Sequence, residues 1–164
     1  TLVSVLSAAK PRIADYPFTT LEPSLGVVYV GDYQSFVIAD IPGIIEGAHE
    51  GKGLGTRFLR HIERNAVLLF VIPVDDPDPG GTYAVLRNEL AMFDEDLVDK
   101  PHVVTVTKMD LLPPDERAPV LGEIRNALSE PTAVGISAVA QIGLDELKAR
   151  LWQEIQSIAA TSDY

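Results

Sequence analysis

No cysteine occurs in the 164 residues. That excludes a disulfide framework, a thiolate metal site and a cysteine nucleophile. It also fits a reducing compartment, and a cytoplasmic location is expected. Basic residues are few, with 13 Lys and Arg against 24 Asp and Glu and a formal net charge of -11. Non-specific nucleic-acid binding needs clustered Lys and Arg, so autonomous DNA binding is not expected. Long apolar runs are missing too. The longest, Ala66 to Pro73, is far short of the ~20 residues that span a bilayer. No basic start leads into a long apolar stretch, so no signal peptide is read and no membrane partner is expected. The histidines lack paired ligands at metal spacing, which argues against a zinc site. There is no initiator Met, and Thr1-Leu2-Val3-Ser4-Val5-Leu6 reads like the middle of a helix. The sequence is therefore expected to start inside a longer polypeptide.

What is present is ordinary for a soluble globular protein, at 46% hydrophobic and 23% charged. The length suits one domain with a sizeable core, read as 1–160 with 161–164 as a tail. No internal repeat is apparent. Leu2, Val5, Leu6 and Ala9 recur at helical spacing until Pro11. Gly26 to Val30 and Ser35 to Asp40 read as a hairpin around Gly31-Asp32-Tyr33. Gly43 to Gly55 is a loop with five glycines, followed by a helix from Thr56 to Arg64. Val67 to Val74 and Val103 to Thr107 read as strands buried on both faces. Between them, Asp75-Asp76-Pro77-Asp78 reads as a solvated turn, and Thr82 as the cap of a helix that turns Val85, Leu86, Leu90 and Phe93 to the core. A helix over 115–128, a last strand over 133–136 and a final helix striped by Leu144, Leu147, Leu151, Ile155 and Ile158 complete the order. Trp152 lies beside that stripe and reads as packing. The alternation predicts a three-layer α/β domain whose ligands gather at the carboxyl ends of the strands.

Three strand ends carry the candidate chemistry. Asp40 closes Phe36-Val37-Ile38-Ala39 and is followed by Ile41-Pro42-Gly43. A carboxylate there can hold a magnesium-bound water. The Gly43 amide can donate to a terminal phosphate, because a residue without Cβ lets the backbone come close. The same residues also suit a strand-to-loop turn with an Asp cap. Thr107-Lys108-Met109-Asp110 ends the second strand. A carboxylate accepts both the N1 hydrogen and the exocyclic amino hydrogen of guanine, a donor pair that adenine lacks, and the Lys108 stem can lie along the base plane. An exposed Lys–Asp pair of nearly neutral energy is the plainer alternative. Ser137-Ala138-Val139 follows the third strand and offers a backbone amide to the guanine carbonyl oxygen. Upstream, a hydroxyl of Thr19-Thr20 can ligate a hard cation such as magnesium or satisfy local backbone groups. Order and spacing make the set point to a guanine-nucleotide-binding domain.

Lys10-Pro11-Arg12-Ile13-Ala14-Asp15-Tyr16-Pro17-Phe18-Thr19-Thr20-Leu21 closely resembles the first switch of the Obg family of translation-factor-class GTPases. So do Ala39 to Ala48, Gly51-Lys52-Gly53-Leu54-Gly55 and Phe58 to Arg64. The resemblance covers essentially the whole chain and, of that family, the GTPase domain. It implies a Ras-like P-loop NTPase fold with a mostly parallel sheet and one antiparallel edge strand. It implies binding of GTP, GDP and magnesium, and slow hydrolysis of GTP. Thr20 is the implied magnesium ligand, with Asp40 acting through water. Phe18, Thr19, Thr20, Leu21 and Glu22 are implied around the nucleotide, and Asp40, Ile41, Pro42 and Gly43 at the γ-phosphate. Thr107, Lys108, Met109, Asp110, Ser137, Ala138 and Val139 are implied at the base. Members of the family act in large ribosomal subunit assembly and stress signalling, which makes that subunit the implied partner.

Three departures from the family pattern matter. The Gly-x-x-x-x-Gly-Lys-Ser/Thr loop is absent, and Thr1 is expected to follow directly on it. The strand before that loop is expected to be central, so its loss leaves two neighbouring strands across an unfilled gap. A chain truly beginning at Thr1 is expected to fold poorly and to bind GTP weakly; a non-hydrolysing interaction scaffold is then the alternative. Thr107 stands where Asn is usual; the shorter side chain weakens or loses the contact to the base N7, so modestly lower affinity is expected, with guanine choice kept by Asp110. Ile44 stands where Ras-type enzymes place a water-orienting Gln, so turnover is expected to be slow and no general base is named. Arg57, Arg60, His61 and Arg64 form a basic stripe, either a contact to RNA or a partner, or a solvated helix face.

Overall fold

The computed structural model describes residues 2–8, 12–13, 24–31, 33–40, 67–93 and 95–162. In chain order these form α1 (Leu2–Leu6), β1 (Arg12–Ile13), β2 (Ser24–Tyr29), β3 (Ser35–Asp40), β4 (Leu68–Pro73), α2 (Pro79–Phe93), α3 (Glu95–Val98), β5 (His102–Thr107), a 3-10 turn (Met109–Leu111), α4 (Pro114–Leu128), β6 (Val134–Gly135) and α5 (Leu144–Ser162).

The strands form two sheets, β1-β2-β3 and β4-β5-β6. The first is antiparallel throughout, with Val27 opposite Val37 and Ile13 opposite Ser24. The second is parallel, with Leu69 opposite Val103 and Val106 opposite Gly135. The Ras-like α/β class expected from the sequence holds. In detail, the antiparallel part is a three-strand sheet and not one edge strand. Among the described residues β3 and β4 each end a sheet.

The apolar pattern of the sequence accounts for the layers. On one face, Phe70, Ile72, Val104 and Val106 of β4 and β5 pack with Tyr83 and Leu90 of α2 and with Ile124 and Leu128 of α4. On the other, Leu6 of α1 and Leu147 and Leu151 of α5 pack with Val28 of β2, Val103 of β5 and Val134 of β6. This second cluster also takes in Phe36 and Ile38 of β3 and Leu69 of β4, so the two sheets share one core without sharing a backbone ladder. Trp152 stacks on Phe36 at 6.4 Å between ring centroids, the packing role read from the sequence. Gly26 permits the closest approach: a Cβ there would collide with Ser7 Oγ just beyond α1.

Helix α2 departs from expectation in start and phase. It begins at Pro79, with Thr82 already inside it. Asp78 does the capping, accepting from the Gly81 amide at 3.0 Å. Thr82 donates its hydroxyl to Asp76 at 2.6 Å. With the helix so started, Tyr83, Leu86 and Leu90 face the core, and Val85 is exposed. The acidic turn is thus a folded cap as well as a solvated loop.

At the amino end of β5, Glu130 accepts from the Tyr83 hydroxyl at 2.6 Å and lies 2.8 Å from His102 Nε2. Arg87 donates to the Tyr83 oxygen at 3.1 Å. Burial by itself raises the Glu130 pKa, but the hydrogen bonds from Tyr83 and His102, with the charges of His102 and Arg87, outweigh it and bring the carboxyl below its ordinary value. A lowered folded pKa stabilises the fold above the unfolded value, and that stability is lost as pH falls through the folded value. Glu130→Gln is expected to cost roughly 1 kcal/mol at neutral pH and to shrink this acid-sensitive part of the stability, read from denaturant melts between neutral and acid pH. Leu147, fully buried where the two sheets meet, is the stronger anchor: Leu147→Ala is expected to lose about 2–5 kcal/mol in the same melts.

Candidate nucleotide-binding site

The carboxyl ends of β5 and β6 bring two of the sequence motifs together. Parallel pairing sets Val106 beside Gly135, and the ladder continues past the strand ends. The Ile136 amide donates to the Val106 carbonyl at 2.8 Å, and the Met109 amide donates to the Ile136 carbonyl at 3.0 Å. Thr107, the last residue of β5, accepts from the Val74 amide at 2.9 Å. Lys108 then turns the chain in the left-handed region, φ 62° and ψ 32°, a conformation that costs a side-chain-bearing residue about 1–2 kcal/mol. The turn drives Met109 into the core and leaves Lys108 and Asp110 exposed on the surface above it.

Ser137 is fully buried. Its hydroxyl donates to Asp110 Oδ1 at 2.7 Å and accepts from the Ala140 amide at 3.0 Å. Its backbone amide is committed to the Ile142 carbonyl at 3.0 Å, and the Ile142 amide returns to Ser137 at 3.0 Å. Closing this short loop places Gln141 at φ 54° and Gly143 at φ 70°; a Cβ on Gly143 would also strike the Gly135 carbonyl. Two consequences follow. The Ser137 side chain orients the Asp110 carboxylate, a role the sequence reading missed. A Ser at the end of a strand predicted to be buried was the available signal. Moreover, the Ser137 and Ala140 amides are occupied, so within Ser137-Ala138-Val139 the amides with no such bond among the described residues are those of Ala138 and Val139. Val139 is 87% exposed, with little of the described structure over it.

The surface formed by Lys108, Asp110, Ala138 and Val139 can therefore take a flat polar ring edge-on. It presents the Asp110 carboxylate, held by Ser137, as acceptor, with Lys108 exposed on the same turn. A separate cleft of about 300 Å³, lined by Val5, Gln141, Gly143 and the start of α5, includes none of these residues.

Asp40 is exposed at the end of β3, opposite Ser24. The remaining sequence candidates, Phe18 to Glu22 with Thr19 and Thr20, Ile41 to Gly43, Ile44 and the stripe Arg57, Arg60, His61 and Arg64, lie outside the described residues. Among the described residues there is no group of three or more His, Asp or Glu able to hold a metal, and no helix is long and apolar enough to cross a membrane.

Comparison with known proteins decides the family. Residues 1–108 match the family described as 50S ribosome-binding GTPase. The chain belongs to that family. Its relatives include the GTPase Obg of Salinibacter ruber, 55% identical over 158 residues, which covers 96% of this chain and 47% of that protein. GTPase Obg of Flavobacterium johnsoniae is 54% identical over 153 residues, 93% of this chain and 46% of the relative. The chain is similar to Obg GTPases, as the switch-like blocks suggested, and it spans about half the length of the curated relatives it matches. Among solved structures, the cytosolic domain of the T. maritima FeoB iron transporter matches with a TM-score of 0.66 at 21% identity, over 94% of this chain and 58% of that one. Aquifex aeolicus Era bound to GDP and aluminium fluoride matches with a TM-score of 0.63 at 24% identity, over 93% and 51%. These two likenesses confirm the fold.

Removing the Ser137 hydroxyl would unpair the Ala140 amide and free Asp110 in one step. Ser137→Ala is expected to lose about 1–3 kcal/mol of stability, measured by denaturant unfolding.

Proposed function

We propose that this chain forms the guanine-nucleotide-binding part of a GTPase that hydrolyses GTP to GDP and phosphate with magnesium and slow intrinsic turnover. The observation that carries the reading is the Ser137–Asp110 hydrogen bond at the joined ends of β5 and β6. That bond gives a fixed direction to the carboxylate that the motif offers for base selection, which supports the reading. Asp110 accepts the N1 and exocyclic amino hydrogens of guanine, the Lys108 stem covers the ring, and the Ala138 or Val139 amide meets the carbonyl oxygen. Thr107 cannot supply the N7 contact of an Asn, so affinity is modest while Asp110 keeps the choice of base.

At the phosphate end, the hard oxygen donors of Thr20 and Asp40 suit magnesium; Asp40, exposed at a strand end, would act through water. The ion supplies neutralisation of charge on the phosphates. The Gly43 amide approaches the γ-phosphate, with Phe18, Thr19, Leu21, Glu22, Ile41 and Pro42 shaping the surroundings. Hydrolysis joins a water oxygen to the γ-phosphorus as the bond to the β-phosphate oxygen breaks. Ile44 has no side-chain group to orient that water, so the rate rests on positioning and charge stabilisation. The family description, 50S ribosome-binding GTPase, supports action at the large ribosomal subunit; a role in the assembly of that subunit or in stress signalling, inside the cytoplasm, completes the proposal.

Titration of the full-length protein with fluorescent GDP and GTP, with and without magnesium and against ATP, tests the reading. Guanine-selective binding strengthened by magnesium is expected. Asp110→Asn is expected to turn the preference towards xanthine nucleotides, since an amide donates where the carboxylate accepted. Unchanged guanine selectivity in that variant sinks the base assignment. Absent binding favours an interaction scaffold in place of an enzyme.

A further inference from the structure

The turn that displays Asp110 is short and strained, and a side chain from outside it spans its backbone. We propose that Arg117 is a positioning residue for base selection, fixing the turn so that Asp110 keeps the orientation that tells guanine from a base lacking its exocyclic amine. The proposal rests on the reading of Asp110 given above.

Lys108 enters the turn in the left-handed region, and Met109–Leu111 is a single 3-10 turn. Such pieces have poor hydrogen-bond geometry and do not hold one shape unaided. Three ties come from elsewhere. The Met109 amide is tied to Ile136 at 3.0 Å, Ser137 holds one oxygen of Asp110, and Arg117 Nε donates to both the Met109 and Leu112 carbonyls at 3.1 Å each. The Arg117 contact joins the residue before Asp110 to one after it. It therefore clamps the backbone on either side of the carboxylate, where Ser137 restrains the carboxylate itself.

The position of Arg117 supports this assignment. It is the fourth residue of α4, which starts at Pro114. Unpaired amides and the positive end of the helix dipole gather there, so electrostatics favours acidic residues such as its neighbours Asp115 and Glu116. A guanidinium in that turn is unfavourable for the helix. The two turn carbonyls are the acceptors that compensate it. An Nε–H set in a rigid plane meets two converging carbonyls with a direction that a flexible ammonium lacks.

The test uses the full-length protein titrated with fluorescent GDP and with the inosine and xanthosine analogues. Inosine lacks the exocyclic amine, so the GDP-to-inosine ratio reports how well Asp110 is aimed. R117M keeps an apolar stem and deletes the donor. It is expected to weaken GDP about tenfold and to weaken the inosine analogue less, so the ratio falls. A lower melting temperature with a wild-type ratio overturns the proposal, because Arg117 would then only brace α4. If R117M does not fold, R117L, which likewise carries no donor, takes its place with the same two readings. D110N run alongside separates the failures. A shift towards xanthosine diphosphate with an unchanged Arg117-variant ratio removes Arg117 alone. No shift removes the base assignment and the proposal with it.

Discussion

The pairing of β5 with β6, carried past the strand ends by Ile136 and Met109, is the constraint on which the candidate site depends. Each motif alone is a few polar residues on a surface turn. The parallel ladder converts them into neighbours. Because Ile136 both donates to Val106 and accepts from Met109, the two loops cannot shift independently. Ser137 can then reach Asp110 from a fully buried position, and a carboxylate on an exposed turn acquires a fixed direction. A recognition group oriented in advance loses less freedom on binding.

The same economy of contacts holds the layers together. The antiparallel and parallel sheets share no hydrogen bond between β3 and β4 among the described residues. Their cohesion comes from side chains, chiefly Leu6 of α1 and Leu147 and Leu151 of α5 packed between Val28 and Val103. Apolar burial is non-directional, so it tolerates a break in the ladder that hydrogen bonding alone would not bridge. At the opposite end of β5 the Tyr83, His102 and Glu130 group ties α2 to the segment after α4. The strand that carries the base motif is anchored at both ends.

Much of this was legible in the chain itself. Continuous apolar runs marked β4 and β5 as strands; β5 is buried on both faces as expected, whereas β4 leaves Val71 exposed and buries Phe70 and Ile72 alone. The three- and four-residue spacing of Leu144, Leu147 and Leu151 marked α5, and the motif order marked the base site. The start of α2 was misread because Thr82 and Asp78 are both acceptable caps, and the choice turns on where the backbone leaves β4. The service of Ser137 to Asp110 was also hidden: the two residues are 27 apart in the chain, and side-chain aim does not follow from spacing. The metal-binding candidate Thr20 and the phosphate-binding candidate Gly43 lie outside the described residues.

Residue order alone determined the α/β class, the positions of the central strands, the resemblance to Obg GTPases and the carboxylate that is the candidate for base reading. These depend on local periodicity and on motif spacing, both of which are written along one dimension. Tertiary structure decided which backbone amides remain for a ligand, which face of α2 is buried, how the strands divide into two sheets, and that Ser137 and Arg117 converge on the turn bearing Asp110. Those outcomes depend on distances between residues far apart in the chain, and such distances exist only once the strands have paired.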